Sequence, residues 1–206
     1  EDAMSNQTLP GREIFFSTIR TKITEERLIT AIEVAYRIAK YAHKDQLRDD
    51  GERYFDHVKT VAWIILTEVD ITDQFYLTIL LCVALLHDLM EDTFLAEQKH
   101  LHFMFDQISP DITNSAWELT NPRGATKVEK WKKLLASVSI ITLIVKAADR
   151  LHNSRTIGAC TIEKQDRKKA ETRDVIIPWL RRVVTQPADF LTIPLQSLTD
   201  KIAALV

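Results

Sequence analysis

The sequence predicts an all-α fold, and three observations carry that prediction. Apolar residues recur at steps of three and four along most of the chain, the period of an amphipathic helix. Only 4 glycines and 6 prolines occur in 206 residues, well under the roughly 12% share of an average protein. No two segments combine strand alternation with hairpin chemistry. A single bundle of about 8–10 helices is expected, with residues 1–23 as an N-terminal extension and residues 24–206 as one domain.

The elements follow in order. Thr24 reads as an N-cap, with Glu25 and Glu26 in the first turn, where the helix dipole favours acids. Leu28, Ala31, Ile32, Ala35, Ile38, Ala39 and Ala42 then form one apolar face. A polar break with Gly51 precedes a second helix from about Tyr54 to Glu68. Asp70 to Asp73 break the chain again. The third helix, about Thr72 to Glu91, is apolar all round in its middle and belongs at the centre of the core. Leu95 to Ile108 forms the next segment, and Ser109-Pro110-Asp111 opens another helix with cap and proline in favoured places. Asn121-Pro122-Arg123-Gly124 is the clearest loop. Lys127 to Ala136, the apolar Ile140 to Asn153, and a long segment from Glu163 to Val184 follow, with Pro178 placed to kink the last. A final amphipathic helix closes the chain.

Composition excludes several classes of function. Basic and acidic residues number 27 and 29, a net charge of −2, so there is no broad basic field for nucleic acid or membrane surfaces. The most apolar run, Phe75 to Leu86, spans 12 residues, against the roughly 20 that cross a bilayer. Glu1-Asp2-Ala3-Met4 lacks the basic and apolar regions of a secretory signal, and Met4 reads as the natural start. Two cysteines, Cys82 and Cys160, are too few for a disulfide framework and point to a reducing compartment, the cytoplasm by default. Nothing in the sequence sets an oligomeric state.

Chemistry concentrates in three segments. The central helix ends in His87-Asp88-Leu89-Met90-Glu91-Asp92, four ionisable groups in six residues after an apolar run. Burying them is costly without compensation. His87 and Asp88 can reach one ion, and Glu91 shares their face one turn on. One imidazole with several carboxylates suits Mn²⁺, with Fe²⁺, Zn²⁺ or Mg²⁺ as alternatives; a solvent-facing polar helix end is the plainer reading. In the second segment Asp149 follows Ile144, Val145, Ala147 and Ala148, where a carboxylate needs a metal or a cation such as Lys146 or Arg150. Asn153 lies four residues on. The third segment, His43 to His57, supplies a turn with His57 at a helix start, where a cap or a packed core histidine is the plainer role. His152 reads as a packing residue or a partner behind the site. His100 and His102, Cys160 and the four tryptophans carry no chemistry in this reading.

Taken together, His57, then His87-Asp88, then Asp149 resembles the H…HD…D pattern of the HD metal-dependent phosphohydrolases. Within them, Leu85 to Thr93 is similar to the LLHD-x-x-EDT signature of the RelA/SpoT alarmone hydrolases, Ala148 to Asn153 to their ADRLHN, and Ala42 to His57 to their AH-x-x-Q-x-R-x-x-G-x-x-Y-x-x-H. These motifs cover about residues 26–180. The chain has no room for the further domains of long bifunctional members and resembles the stand-alone small alarmone hydrolases, the type that includes the metazoan SpoT homologue.

The resemblance implies that His57, His87, Asp88 and Asp149 hold one Mn²⁺. It implies that Glu91 and Asp92 position water and handle the proton on the leaving oxygen. Arg48 would pack against a purine base, and Asn153 and Thr156 would line the nucleotide pocket. The implied reaction removes the 3′-pyrophosphate of (p)ppGpp to give GDP or GTP and pyrophosphate. Asp49, Asp50, Arg53 and Val58 depart from the family pattern at the rim, leaving substrate identity open. NADPH 2′-phosphate and the adenine alarmones are rival substrates, and a catalytically silent nucleotide-binding module is the rival of another class.

Overall fold

The computed structural model describes residues 9–48, 51–92, 98–121, 124–137, 139–184 and 191–206. Helices run in the order α1 (Arg12–Lys22), α2 (Glu26–Ala42), α3 (Tyr54–Glu68), α4 (Gln74–Leu86), α5 (Leu89–Asp92), α6 (Gln98–Phe105), α7 (Pro110–Leu119), α8 (Lys127–Ala136), α9 (Ile140–Arg155), α10 (Ile162–Glu171), α11 (Ile177–Val184) and α12 (Thr192–Ala203). The fold is all-α. Among the described residues the only extended pairing is an isolated antiparallel bridge between Leu47 and Arg53. No described helix is long and apolar enough to cross a membrane.

Helix α4 is the axis of the bundle. Every residue from Leu77 to Leu86 is buried, and α2, α3, α7 and α9 pack around it. A helix apolar on all sides can be satisfied only inside such a ring. Asp73 starts it by accepting hydrogen bonds from the Phe75 and Tyr76 backbone N–H groups. Helix α9 is the second axis, packed on α3, α4, α7 and α12. Ser139 caps it through the Thr142 N–H. Helix α1 precedes the boundary expected at residue 24, yet Phe15, Phe16 and Ile19 join the same core, with Phe15 against Tyr36 and Trp63.

Three local readings change. Thr24 does not cap α2: the N-cap position falls to Glu25 without a side-chain bond. Thr24 lies one residue ahead of the N-cap and instead donates both its N–H and its hydroxyl to Gln74 Oε1, at 3.0 and 3.4 Å. The third helix stops at Leu86 rather than Glu91 and resumes as α5. Here the His87 Nδ1 donates to Ala84 O at 2.8 Å, the carbonyl that an uninterrupted helix would pair with the Asp88 N–H. Pro178 disturbs its helix one turn upstream. Thr172–Ile176 form a π turn in which the Ile177 N–H reaches Thr172 O, since Pro178 offers no N–H to the carbonyl four residues back.

A clamp joins three helix ends. Glu68 at the end of α3 accepts from both terminal guanidinium nitrogens of Arg155, at 2.5 and 2.8 Å, and from Lys201 of α12 at 3.0 Å. The Arg155 contact, then Lys201, holds the Glu68 carboxyl below its ordinary range against a partial burial penalty.

Leu81, fully buried in α4, tests the axis. Leu81→Ala is expected to destabilise the protein by about 2–5 kcal/mol, read as a lower urea midpoint at unchanged slope. A loss under about 0.5 kcal/mol, the range of surface positions, would remove α4 from the core.

Candidate metal centre and adjoining cleft

The break after α4 aims side chains at α3 and α9. A carbonyl only accepts, so the bond to Ala84 O fixes the proton on His87 Nδ1 and leaves Nε2 facing the cluster. That Nε2 is buried and has no hydrogen-bond partner among the described residues, though Asp88 Oδ2 lies 3.1 Å away. His57, from the first turn of α3, brings Nε2 to 3.7 Å from Asp88 Oδ2 and 3.4 Å from Asp149 Oδ1. Ligand atoms of His57, His87 and Asp88 all lie within 4.8 Å of one another, and Asp149 joins from the His57 side. Two ligands about 2.1 Å from one ion, at right angles, stand about 3 Å apart. The donor set and its spacing fit a single divalent cation.

Each of the four has a partner behind it. Tyr54 OH donates to Asp88 Oδ2 at 2.8 Å. Asp149 receives Lys146 Nζ on Oδ2 at 2.8 Å and Asn153 Nδ2 on Oδ1 at 2.5 Å. His57 Nδ1 lies 2.8 Å from His152 Nδ1. The salt-bridge reading of Asp149 is met at Lys146 on Oδ2, while Oδ1 faces the His57 imidazole. Arg150 turns away to Glu171 at 3.0 Å, and Arg155 to Glu68, so neither serves the site as a free cation.

Electrostatics follow from burial and proximity. Burial disfavours the His87 imidazolium, but the Asp88 carboxylate, with Asp149 beyond it, pulls His87 up to about 9. Burial likewise penalises the Asp88 carboxylate, yet His87 and His57 hold it well below the usual range. Asp149 is pushed the same way against burial by Lys146, His57 and His87. His152 goes the other way: burial, then the neighbouring His57 and Arg48 charges, lower it to about 3.

The expected nucleotide-facing residues come together beside this cluster. Arg48, Asn153 and Thr156 line one cleft of about 100 Å³ with Ile157, Cys160, Lys164 and Lys168. Arg48 Nη2 donates to Asn153 Oδ1 at 2.7 Å, so Asn153 bridges the cleft to Asp149. Arg48 is set by the turn before α3: its N–H bonds Glu52 O at 2.8 Å, and the Gly51 N–H returns to Arg48 O at 2.9 Å. Gly51 sits at φ +85°, which glycine adopts without strain.

Glu91 and Asp92 lie in α5, but their side chains fall outside the described residues, as do Asp49 and Asp50. Sequence reasoning gave no role to Tyr54, Lys164 or Lys168. Tyr54 stood one helical turn before His57, a usable signal; the lysines depend on α10 folding back toward α9. A larger, shallow depression of about 490 Å³ near Lys22, Thr24 and Asp73 lies at the start of α4, whereas His87 and Asp88 follow the other end of that helix.

Comparison with known proteins gives matches over most of the chain. The family profile described as HD domain matches residues 35–182. The GTP pyrophosphokinase rsh of Brucella melitensis biotype 1 is 35% identical over 162 residues, 74% of this chain and 20% of that protein. The bifunctional (p)ppGpp synthase/hydrolase SpoT of Escherichia coli K12 is 30% identical over 171 residues, 80% of this chain and 23% of that one. The chain thus spans about a fifth of the length of these curated relatives. A solved structure of a metazoan ortholog of SpoT, described as hydrolysing ppGpp, has the same fold, with TM-score 0.60 and 24% identity over 85% of this chain and 97% of that one.

The raised His87 predicts how the centre loads. Near pH 7 the metal-free imidazole is protonated, and only the neutral ring can ligate. Binding Mn²⁺ should therefore release about one proton, and affinity should rise with pH until it levels near the His87 value of about 9. Calorimetry in buffers of different ionisation enthalpy reads the proton count. A count of zero would mean that metal-free His87 is already neutral near pH 7 or that it is not a ligand, and Mn²⁺ affinity in His87→Ala separates the two.

Proposed function

The chain belongs to the HD-domain family, and from that premise we propose that it is a Mn²⁺-dependent phosphohydrolase that removes the 3′-pyrophosphate of (p)ppGpp, giving GDP or GTP and pyrophosphate. The observation that carries this reading is the junction of two features: the His57, His87, Asp88 and Asp149 cluster, and the Arg48 cleft joined to it through Asn153. A cytoplasmic setting, expected from the two unpaired cysteines, belongs to the same proposal.

A divalent ion held by those four residues would supply positive charge to phosphoryl oxygens and acidify water. The protein's own groups do the rest. Arg48 presents its guanidinium to the base, while Asn153 and Thr156 line the ribose and phosphate path. Lys164 and Lys168 give the cleft its positive wall. Ligand pockets commonly run to about 300–1,000 Å³, so a cleft of about 100 Å³ receives one moiety, with the 3′-pyrophosphate lying toward Asp149. Glu91 and Asp92 orient the attacking water and take its proton. Water oxygen bonds to phosphorus, the bond to the ribose 3′-oxygen breaks, and that oxygen leaves with a proton.

Turnover of ppGpp, ppApp and NADPH side by side is the deciding assay; hydrolysis of neither alarmone would end the alarmone reading. Asp149→Ala should abolish both Mn²⁺ binding and turnover while far-UV helicity survives, with a lower Tm in Mn²⁺ than wild type. Full metal content in that variant would remove Asp149 from the ligand set.

Glu91→Gln separates chemistry from binding, because it keeps shape and removes the basic site. It should retain Mn²⁺ while kcat falls by about 10²–10⁴-fold, the usual worth of positioned acid–base catalysis. A change confined to KM would instead make Glu91 a binding residue.

A further inference from the structure

Three of the four proposed ligands have partners whose hydrogen-bonding sense is fixed by chemistry. The Ala84 carbonyl can only accept from His87. Lys146 can only donate to Asp149. Tyr54 OH can only donate to an ionised Asp88. His57 is different, since its Nδ1 meets another imidazole nitrogen, His152 Nδ1, at 2.8 Å. The rings are both buried, with centroids 5.0 Å apart and planes at 32°. At that distance one proton lies between the two nitrogens, and either ring can carry it.

We propose that His152 is a positioning residue that sets the tautomer of His57. This rests on the reading of His57 as a metal ligand and deepens it. His57 Nε2 is the atom that faces Asp88 and Asp149. A neutral imidazole has one N–H, so Nε2 offers a lone pair only when the proton is on Nδ1. The His57 Nδ1–H then donates, His152 Nδ1 accepts, and the His152 proton resides on Nε2. Were His152 to hold its proton on Nδ1, His57 would be forced to the opposite tautomer, with an N–H aimed into the ligand cluster.

The position on α9 explains why this histidine does the work. His152 follows Asp149 by three residues and therefore lies one turn on along the same face. One helix thus supplies a carboxylate ligand and the acceptor that orients a ligand from α3. Partners behind metal-binding histidines are worth about 10–100-fold in affinity.

The test uses Mn²⁺ binding and ring-nitrogen NMR on the whole protein. His152→Leu removes the acceptor and keeps apolar bulk; His152→Asn keeps an oxygen near the place of Nδ1. Mn²⁺ affinity should fall about 10–100-fold in His152→Leu and recover in large part in His152→Asn, which a role in packing alone would not produce. In wild-type protein loaded with diamagnetic Zn²⁺, long-range ¹H–¹⁵N spectra should show His57 protonated on Nδ1 and His152 on Nε2. This measurement stands even where a variant fails to fold. Equal Mn²⁺ affinity in wild type and His152→Leu, or a Zn²⁺-loaded His57 protonated on Nε2, would overturn the role of His152 alone. Absence of saturable Mn²⁺ binding by wild type would overturn the metal reading, and this inference with it.

Discussion

Two carboxylates and two imidazoles leave bulk water where α3, α4 and α9 meet, and the surrounding structure is arranged to make that tolerable. Isolated charges in such a place cost several kcal/mol each. The compensation comes in layers. Asp88 and Asp149 face the imidazoles, and behind each acid stands a donor, Tyr54 or the pair Lys146 and Asn153. Even so, the accounting is incomplete at His87 Nε2, which is buried 3.1 Å from Asp88 Oδ2 but makes no well-aligned hydrogen bond among the described residues. A cation satisfies that atom and both acids together, which is why the cluster reads as a binding site rather than as an internal salt bridge.

The same constraint shapes the bundle. Helix α4 can bring His87 and Asp88 to the cluster only by ending there, and the side-chain bond to Ala84 O ends it. Helix α3 is tied to the last turns of α9 at two places, His57 to His152 near its start and Glu68 to Arg155 at its end. Those points are about 16 Å apart along α3 at 1.5 Å per residue, so rotation of α3 about its axis strains both. Ligand geometry is thus set by helix packing, which is stiffer than a loop.

Much of this was legible in the sequence, and the reasons are specific. The α3 limits, the buried α4 and the Ser109–Pro110 start of α7 follow from periodicity and local capping. His87, Asp88 and Asp149 stood out as charges at the ends of apolar runs, and Arg48, Asn153 and Thr156 were grouped through family resemblance before the fold brought them to one cleft. What stayed hidden depends on tertiary contacts. Thr24 is tied to Gln74, 50 residues away, rather than to the first turn of α2. The contact between His57 and His152 spans 95 residues, and no local pattern encodes it. Of the two cations that adjacency offers Asp149, Lys146 meets it, whereas Arg150, pointing about 100° away as a neighbouring helical residue, pairs with Glu171.

The join between cluster and cleft gives the site a direction. Arg48 reaches Asn153, and Asn153 reaches Asp149, so a group that engages the Arg48 guanidinium acts two hydrogen bonds away from the Asp149 carboxylate. Asn153 uses both ends of its amide, accepting from Arg48 and donating to Asp149, and cannot flip without losing both bonds. Arg48 itself hangs on the backbone turn at Gly51 and is not anchored in the core. In the proposed reading the metal ligands are mounted on α3, on α9 and on the turn after α4, while recognition draws on a surface turn, on the end of α9 and on α10, a helix with no buried residue. On that reading, substitutions at the turn would change what is bound more than the groups that react, which makes reaction class easier to read from this chain than substrate identity.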